Sequence, residues 1–281
     1  MKTKLSKITD IPDNMSMAFL FSETSVLPFQ LTPAELALWE KKPAKSDTLL
    51  IQKLPFFLFL VNPNLAKPGN SVLENFRKAG AAWMEIVKKE KIDNIAICGY
   101  TETAHTRAFI EGALLSGYAF TKYKKEKEEF VLNGIKVYDS GLTEDDLVEM
   151  ELMTDAVFWA RDLVNEPVSA LNAIQLAGEF NKKGEEAGFS VEVFHKQKIE
   201  TLKMGGLLAV NQGSIDPPTF TVMEWKPENP VNSQPIVLIG KGVVFDTGGL
   251  SLKPTSKSMD FMKSDMAGAA VVAATIYAAA K

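Results

Sequence analysis

Apolar positions along this chain alternate between two periods. Short apolar runs of strand length occur at Ser16–Phe21, within residues 48–61, at 92–98 and at 131–138. Between them, residues 72–89 set Leu73, Phe76, Ala79, Trp83, Ile86 and Val87 at helical spacing. Residues 106–120 predict a second helix, rich in small side chains. Strands alternating with helices in this way predict a compact α/β domain. The loop at 122–129 mixes Lys and Glu, which predicts a solvated surface instead of a binding patch.

From Thr143 the period becomes helical over a longer stretch. Leu147, Met150, Met153, Val157, Ala160 and Val164 form one apolar stripe. Thr143, with Asp146 three positions on, has the form of a capping box, and a carboxylate in the first turn also suits the helix dipole. The helix should stop near Asn165, because Pro167 disfavours a helical conformation at Glu166. A long amphipathic helix between two alternating halves reads as a connector. The predicted division is therefore 1–141 for a smaller N-terminal α/β domain, 142–168 for the connecting helix, and 169–281 for a second α/β domain. In that second part Ala173–Ala187 and 196–203 read as helices, and 190–194 and 219–225 as strands. The run Ile236, Val237, Leu238, Ile239 reads as a buried strand of a mixed, largely parallel central sheet. An Ala-rich helix, Ala267–Ala280, follows, and a crossover helix of that kind needs a further strand to receive it. The second domain is accordingly expected to be incomplete.

Composition narrows the function classes. The chain has 281 residues, 46% of them hydrophobic, enough for two real cores. Net charge is −4 and the pI about 5.5, with no basic stripe for nucleic acid and no polybasic run for a membrane surface. No apolar stretch near the start is long enough to span a bilayer or to form a signal-peptide core. One cysteine, Cys98, excludes an internal disulfide and fits a reducing cytoplasm. It lies in a strand-like run, so a small buried hydrophobe is the better reading than a nucleophile. His105 and His195 stand far apart and in no HExxH pattern, which argues against a histidine-based zinc site. No GxSxG elbow is present for a serine triad.

What remains is the stretch 240–270, GKGVVFDTGGLSLKPTSKSMDFMKSDMAGAA. It places Lys241, Asp246, Lys253 and Asp265 after a strand-like run and before a helix, where α/β sites are usually built. Each has an ordinary explanation. Lys241 can snorkel outward, or it can sit beside a group that stabilises a neutral amine. Asp246 before Thr247, Gly248 and Gly249 can be a turn former, Lys253 an exposed loop cation, and Asp265 a helix cap. Met259, Phe261 and Met262 read as core or pocket lining. Singly, these signals do not choose a chemistry.

Together they resemble a known family. GKGVVFDTGGLSLKP followed by MDFMKSDMAGAA is similar to the metal-binding signature of the leucyl (cytosol) aminopeptidases, the M17 metallo-exopeptidases. WARDLVNEP at 159–167 and MGGLLAVNQGS at 204–214 resemble two more of that family's segments. The likeness runs from about Ala156 onward and is looser before it, where Glu111, Gly112, Ala113 and Tyr118, Ala119, Phe120 are the best traces. The resemblance implies an α/β metallopeptidase domain with two divalent metal ions, manganese or zinc, with magnesium or cobalt also admissible. It implies Lys241, as a neutral amine, Asp246 and Asp265 as metal ligands, with Asp246 bridging. It implies Lys253 as the catalytic lysine, and Lys241, Asp246, Lys253 and Met262 as substrate-binding. Peptides are the implied substrates, a homohexamer the implied assembly and the cytoplasm the implied compartment. Two departures stand out. The interval from Lys253 to Asp265 is one residue longer than in the family, the extra residue falling within 255–258. The family's NTDAEGR-like segment, with its further Asp, Glu and Arg, has no counterpart here. Two divalent ions bring +4 against −2 from Asp246 and Asp265. Weak metal binding by the chain alone is the expectation, and a non-catalytic, aminopeptidase-like scaffold is the alternative function.

Overall fold

A computed structural model describes residues 3–22, 26–41, 48–53, 56–63, 70–125 and 132–281. The chain forms two compact units, 1–154 and 155–281. The divide falls inside a long helix.

The first unit is built on a six-stranded sheet of β1 (Lys4–Lys7), β2 (Ser16–Phe21), β3 (Thr48–Lys53), β4 (Phe56–Val61), β5 (Asn94–Tyr100) and β6 (Gly134–Tyr138). Their spatial order is β1-β6-β5-β2-β4-β3, and every pairing is parallel except the antiparallel β3–β4 edge. The central strands are apolar on both faces, as a doubly covered parallel sheet requires. On one face Ala18, Leu20, Phe59, Val61, Ile95, Ile97, Ile135 and Val137 point into a core. Over them lie α2 (Asn70–Lys89), with Phe76, Trp83 and Val87, and α3 (Thr103–Ser116), with Phe109 and Ile110. On the other face Met17, Phe19, Phe21, Leu58, Leu60, Ala96 and Cys98 form a second core. Gly112 lets α3 touch α2, since a Cβ there would lie 2.0 Å from the Arg77 carbonyl oxygen.

Two elements here carried no periodic apolar signal. β1 is KLSK, a short polar edge strand. The helix α1 (Pro33–Lys41) buries no residue, and its mark was a capping box. The Thr32 amide donates to Glu35 at 2.8 Å and the Glu35 amide to the Thr32 hydroxyl at 3.3 Å. The expected strand at 131–138 begins at Gly134; Val131 and residues 126–129 of the Lys/Glu loop lie outside the described residues.

α4 (Glu144–Asn165) has the predicted start and stop. The Thr143 amide donates to Asp146 at 2.8 Å and the Asp146 amide to the Thr143 hydroxyl at 3.1 Å. The second unit continues with α5 (Ala173–Ala187), β7 (Ser190–His195), α6 (Lys196–Thr201), α7 (Gly205–Asn211), β8 (Thr219–Glu224) and α8 (Ala267–Ala280). α5 opens with a full capping box between Asn172 and Gln175. Around Trp159, rings of Phe180 and Tyr277 pack at 6.2 and 5.8 Å.

The run 236–239 departs from expectation. β7 and β8 pair antiparallel and form the unit's only sheet among the described residues. Ile236, Val237, Leu238 and Ile239 form no strand and are 81, 74, 50 and 91% exposed. Strand chemistry is not sufficient for a strand: the backbone also needs a neighbour to accept its ladder, and no described segment provides one here. The α/β class of the whole chain is unaffected.

Candidate active site

Lys241, Asp246 and Lys253 lie in the loop before the 3₁₀ turn Met259–Ser264, and Asp265 lies between that turn and the start of α8. Residues 240 and 241 lie directly against that helix start. A Cβ on Gly240 would come within 2.6 Å of the Gly268 carbonyl oxygen, and one on Gly268 within 2.9 Å of the Lys241 amide nitrogen. Glycine at both positions allows backbone to touch backbone. The contact is tied by the Ala269 amide, which donates to the Lys241 carbonyl at 2.9 Å. From that anchorage the Lys241 ammonium reaches Asp265 Oδ1 at 2.6 Å.

Asp246 is set by its own turn. The Gly248 amide donates to Asp246 Oδ1 at 2.9 Å, with Gly248 at φ +87°, a left-handed conformation that favours glycine. The Lys253 amide donates to the Thr247 carbonyl at 2.9 Å and closes the loop. The Lys253 ammonium therefore lies 2.8 Å from Asp246 Oδ2 and 3.2 Å from Met262 Sδ. The two ion pairs sense each other. Hydrogen bonds from the Lys253 ammonium and the Gly248 amide hold the Asp246 carboxyl below its usual range, with the charge of Lys241 adding to the effect.

The fold thus brings all four predicted polar residues, and Met262, into one cluster. Its setting differs from the expected one. The Lys241 side chain is 61% exposed, against 18% for Asp265. The run before it is open, so no buried strand at 236–239 encloses the Lys241 amine. The ordinary roles of Asp246 and Lys253 are also visible, because Asp246 does shape its turn and Lys253 does lie in a loop. Sequence reasoning missed the 3₁₀ turn and the paired glycines. The signal for the second was a glycine inside the first turn of an alanine-rich helix, where helix propensity disfavours it.

The histidines lie elsewhere. His105 stacks on Phe76 at 4.5 Å and shares a 2.9 Å hydrogen bond with the Thr101 hydroxyl. His195 caps α6. Among the described residues, no three His, Cys, Asp or Glu side chains converge as a metal-binding group. The donors of the cluster are two carboxylates and two amines. Carboxylate oxygens suit a divalent ion in kind, but each carboxylate here already pairs with a lysine ammonium, so the set carries no net charge until an ion displaces those amines.

Two family descriptions match the chain. Residues 158–281 fit the catalytic domain of the cytosol aminopeptidase family, and residues 65–127 fit the N-terminal domain of the same family. The chain belongs to the cytosol aminopeptidase family. A probable cytosol aminopeptidase of Chlorobium limicola is 40% identical over 232 residues, which is 74% of this chain and 46% of that protein. One from Chloroherpeton thalassium is 36% identical, covering 89% of this chain and 55% of its own length. The chain spans about half the length of the curated relatives it matches. Among solved structures, the bottromycin maturation enzyme BotP in complex with manganese aligns with a TM-score of 0.75 at 25% identity, over 94% of this chain and 56% of that one. A tomato leucine aminopeptidase mutant, at 20% identity, shares the fold with a TM-score of 0.80, over 99% of this chain and 59% of its own. Relative to this family, the cluster occupies the matched catalytic segment.

Proposed function

We propose that this protein is a metal-dependent aminopeptidase that releases the N-terminal residue, of leucine type, from peptides through a dinuclear site. The observation that carries the reading is the pairing of Lys241 with Asp265 and of Lys253 with Asp246, with the charge of Lys241 felt at Asp246. Asp246 and Asp265, with Lys241 as an amine, would hold the divalent ions; manganese or zinc suits these donors, as magnesium or cobalt also would. When bound, the ions lower the pKa of a bridging water and act as a Lewis acid toward the scissile carbonyl. Lys253 is the chain's own contribution at that carbonyl. Its ammonium, steered by Asp246, offsets the negative charge that develops on the oxygen. Met262, against the Lys253 ammonium, lines the place of the first substrate side chain. Lys241, Asp246 and Lys253 contact the substrate as well.

In the same reading the chain divides at 1–141, 142–168 and 169–281. The relatives' name supports a cytoplasmic setting, and the family resemblance supports a homohexamer. Among the described residues no helix is long and apolar enough to cross a membrane. A second reading, a non-catalytic scaffold, draws on the charge count: two carboxylates, each already matched by a lysine, do not neutralise two divalent ions.

Hydrolysis of leucyl p-nitroanilide under manganese or zinc titration separates the two. The aminopeptidase reading expects metal-dependent turnover that needs metal in large excess. Lys253→Ala should abolish turnover and leave metal content near that of the parent, whereas Asp246→Ala should lose both. Equal metal content in the two variants would overturn the assigned roles, and metal binding without turnover would favour the scaffold.

A further inference from the structure

The helix α4 ends where Pro167 brings no N–H and turns the chain out of the helix. Its last carbonyls therefore need donors from elsewhere. At Asn165 that donor is the Lys263 ammonium, 2.8 Å from the carbonyl oxygen and 98 positions away in sequence. A cation at a helix C-terminus also meets the negative end of the helix dipole.

Lys263 belongs to the 3₁₀ turn, between Met262, which touches the Lys253 ammonium, and Asp265, which holds the Lys241 ammonium. The turn closes on itself and on the loop before it: the Ser264 hydroxyl donates to the Phe261 carbonyl at 2.6 Å, and the Met259 and Asp260 amides donate to the Pro254 and Thr255 carbonyls at 3.0 and 3.2 Å. Phe261 bonds back to Ser258 at 3.1 Å and Asp265 to Met262 at 3.1 Å, the strained geometry of a 3₁₀ segment. Its Phe261 side chain is 62% exposed and contributes little packing. The tie from Lys263 joins the turn to α4. Asn165 supports the tie by donating its own side-chain amide to the Arg161 carbonyl at 2.9 Å, which keeps the last helical turn formed.

We infer that Lys263 is a positioning residue: by clamping the 3₁₀ turn to the carboxyl end of α4, it sets Met262 against Lys253 and Asp265 against Lys241. The inference rests on the aminopeptidase reading for its functional meaning, but the clamp itself is a claim about the metal-free protein.

The test uses the full chain with Lys263→Met and Lys263→Arg. Methionine keeps the length of the stem and removes the donor, while arginine restores a cationic donor. Hydrogen exchange of the metal-free protein is measured across residues 259–266, together with manganese affinity by calorimetry. Lys263→Met should raise exchange in 259–266 about five- to tenfold, the range for losing a partly buried charge-assisted bond at a helix end, while α5 exchange stays unchanged. It should weaken manganese binding by a similar factor, and Lys263→Arg should recover most of both. Unchanged exchange at 259–266 in Lys263→Met overturns the clamp whatever the metal result. Raised exchange throughout the second unit would mark Lys263 as a general stability residue and would also overturn it. Altered exchange with manganese affinity equal to the parent's would overturn the positioning role. If the parent chain itself binds no manganese, the aminopeptidase reading of the cluster fails and the positioning role fails with it, and the exchange result then judges the clamp alone.

Discussion

Cys98 lies on β5 without solvent exposure, and burial pushes its thiol up to about 12. At pH 8 its thiolate population is then on the order of a thousandfold below that of an ordinary cysteine, before accessibility is counted. Native protein should resist a thiol reagent such as dithionitrobenzoate and react with one equivalent on unfolding in urea; fast labelling of the native chain would contradict the second sheet core. Cys98 was legible from sequence because an apolar strand leaves a thiol no other surroundings. Lys241 was not. Two side-chain environments were open to it, and the choice lay with 236–239, whose exposure the apolar pattern does not encode. Asp246 and Lys253 lie in between. Their turn was readable from Thr247, Gly248 and Gly249, but the 2.8 Å contact between their side chains required the loop to close through the Lys253 amide.

α4 carries the clearest local signals and a pH dependence that follows from them. The Asp146 carboxyl is held below its ordinary value by the Thr143 amide and hydroxyl, with Arg107 3.2 Å away adding to this. A carboxyl whose folded pKa is depressed contributes stability above its unfolded pKa, near 3.9, and loses that contribution as pH falls through the lower folded value. Resistance of the parent to urea should weaken through this group as pH falls below about 4. Asp146→Asn should flatten that part of the acid limb and leave the region above pH 5 parallel to the parent; an unchanged acid limb would count against the cap. Elements of this kind, α4 and α5 above all, were legible because the cap, the stripe and the stop are local. β1 was missed because it is polar, and α1 because its apolar residues, Leu36, Ala37, Leu38 and Trp39, run consecutively instead of at helical spacing. The 3₁₀ turn was missed because six residues are too short for an apolar period and its start has no side-chain cap.

At the scale of the molecule the two units contrast. The first closes its sheet between two apolar layers, with Phe19, Phe59, Phe76, Trp83 and Phe109 fully enclosed. The second carries an open apolar run at 236–239. Four consecutive exposed apolar residues with an unpaired backbone are the pattern that binds hydrophobic dyes and promotes association. The chain should bind anilinonaphthalene sulfonate in native buffer. Val237→Lys should lower that fluorescence while shifting the unfolding free energy by no more than about 0.5 kcal/mol, because the replaced side chain is largely in water. A large loss of stability would mean that the run is packed in solution.

The sequence by itself determined the α/β class, the long capped helix, the chemical types of the cluster and the buried state of Cys98. These depend on the hydrophobic period, on caps three residues apart and on the composition of one stretch, all of which are properties of neighbours in the chain. Tertiary structure decided the rest. It decided that Lys241 meets Asp265 across 24 positions and that Lys263 reaches Asn165 across 98. It also left a run with every property of a strand without a ladder. Those outcomes depend on which backbones come close enough to exchange hydrogen bonds and to let charges touch, and proximity between distant segments is set by packing, not by any local pattern.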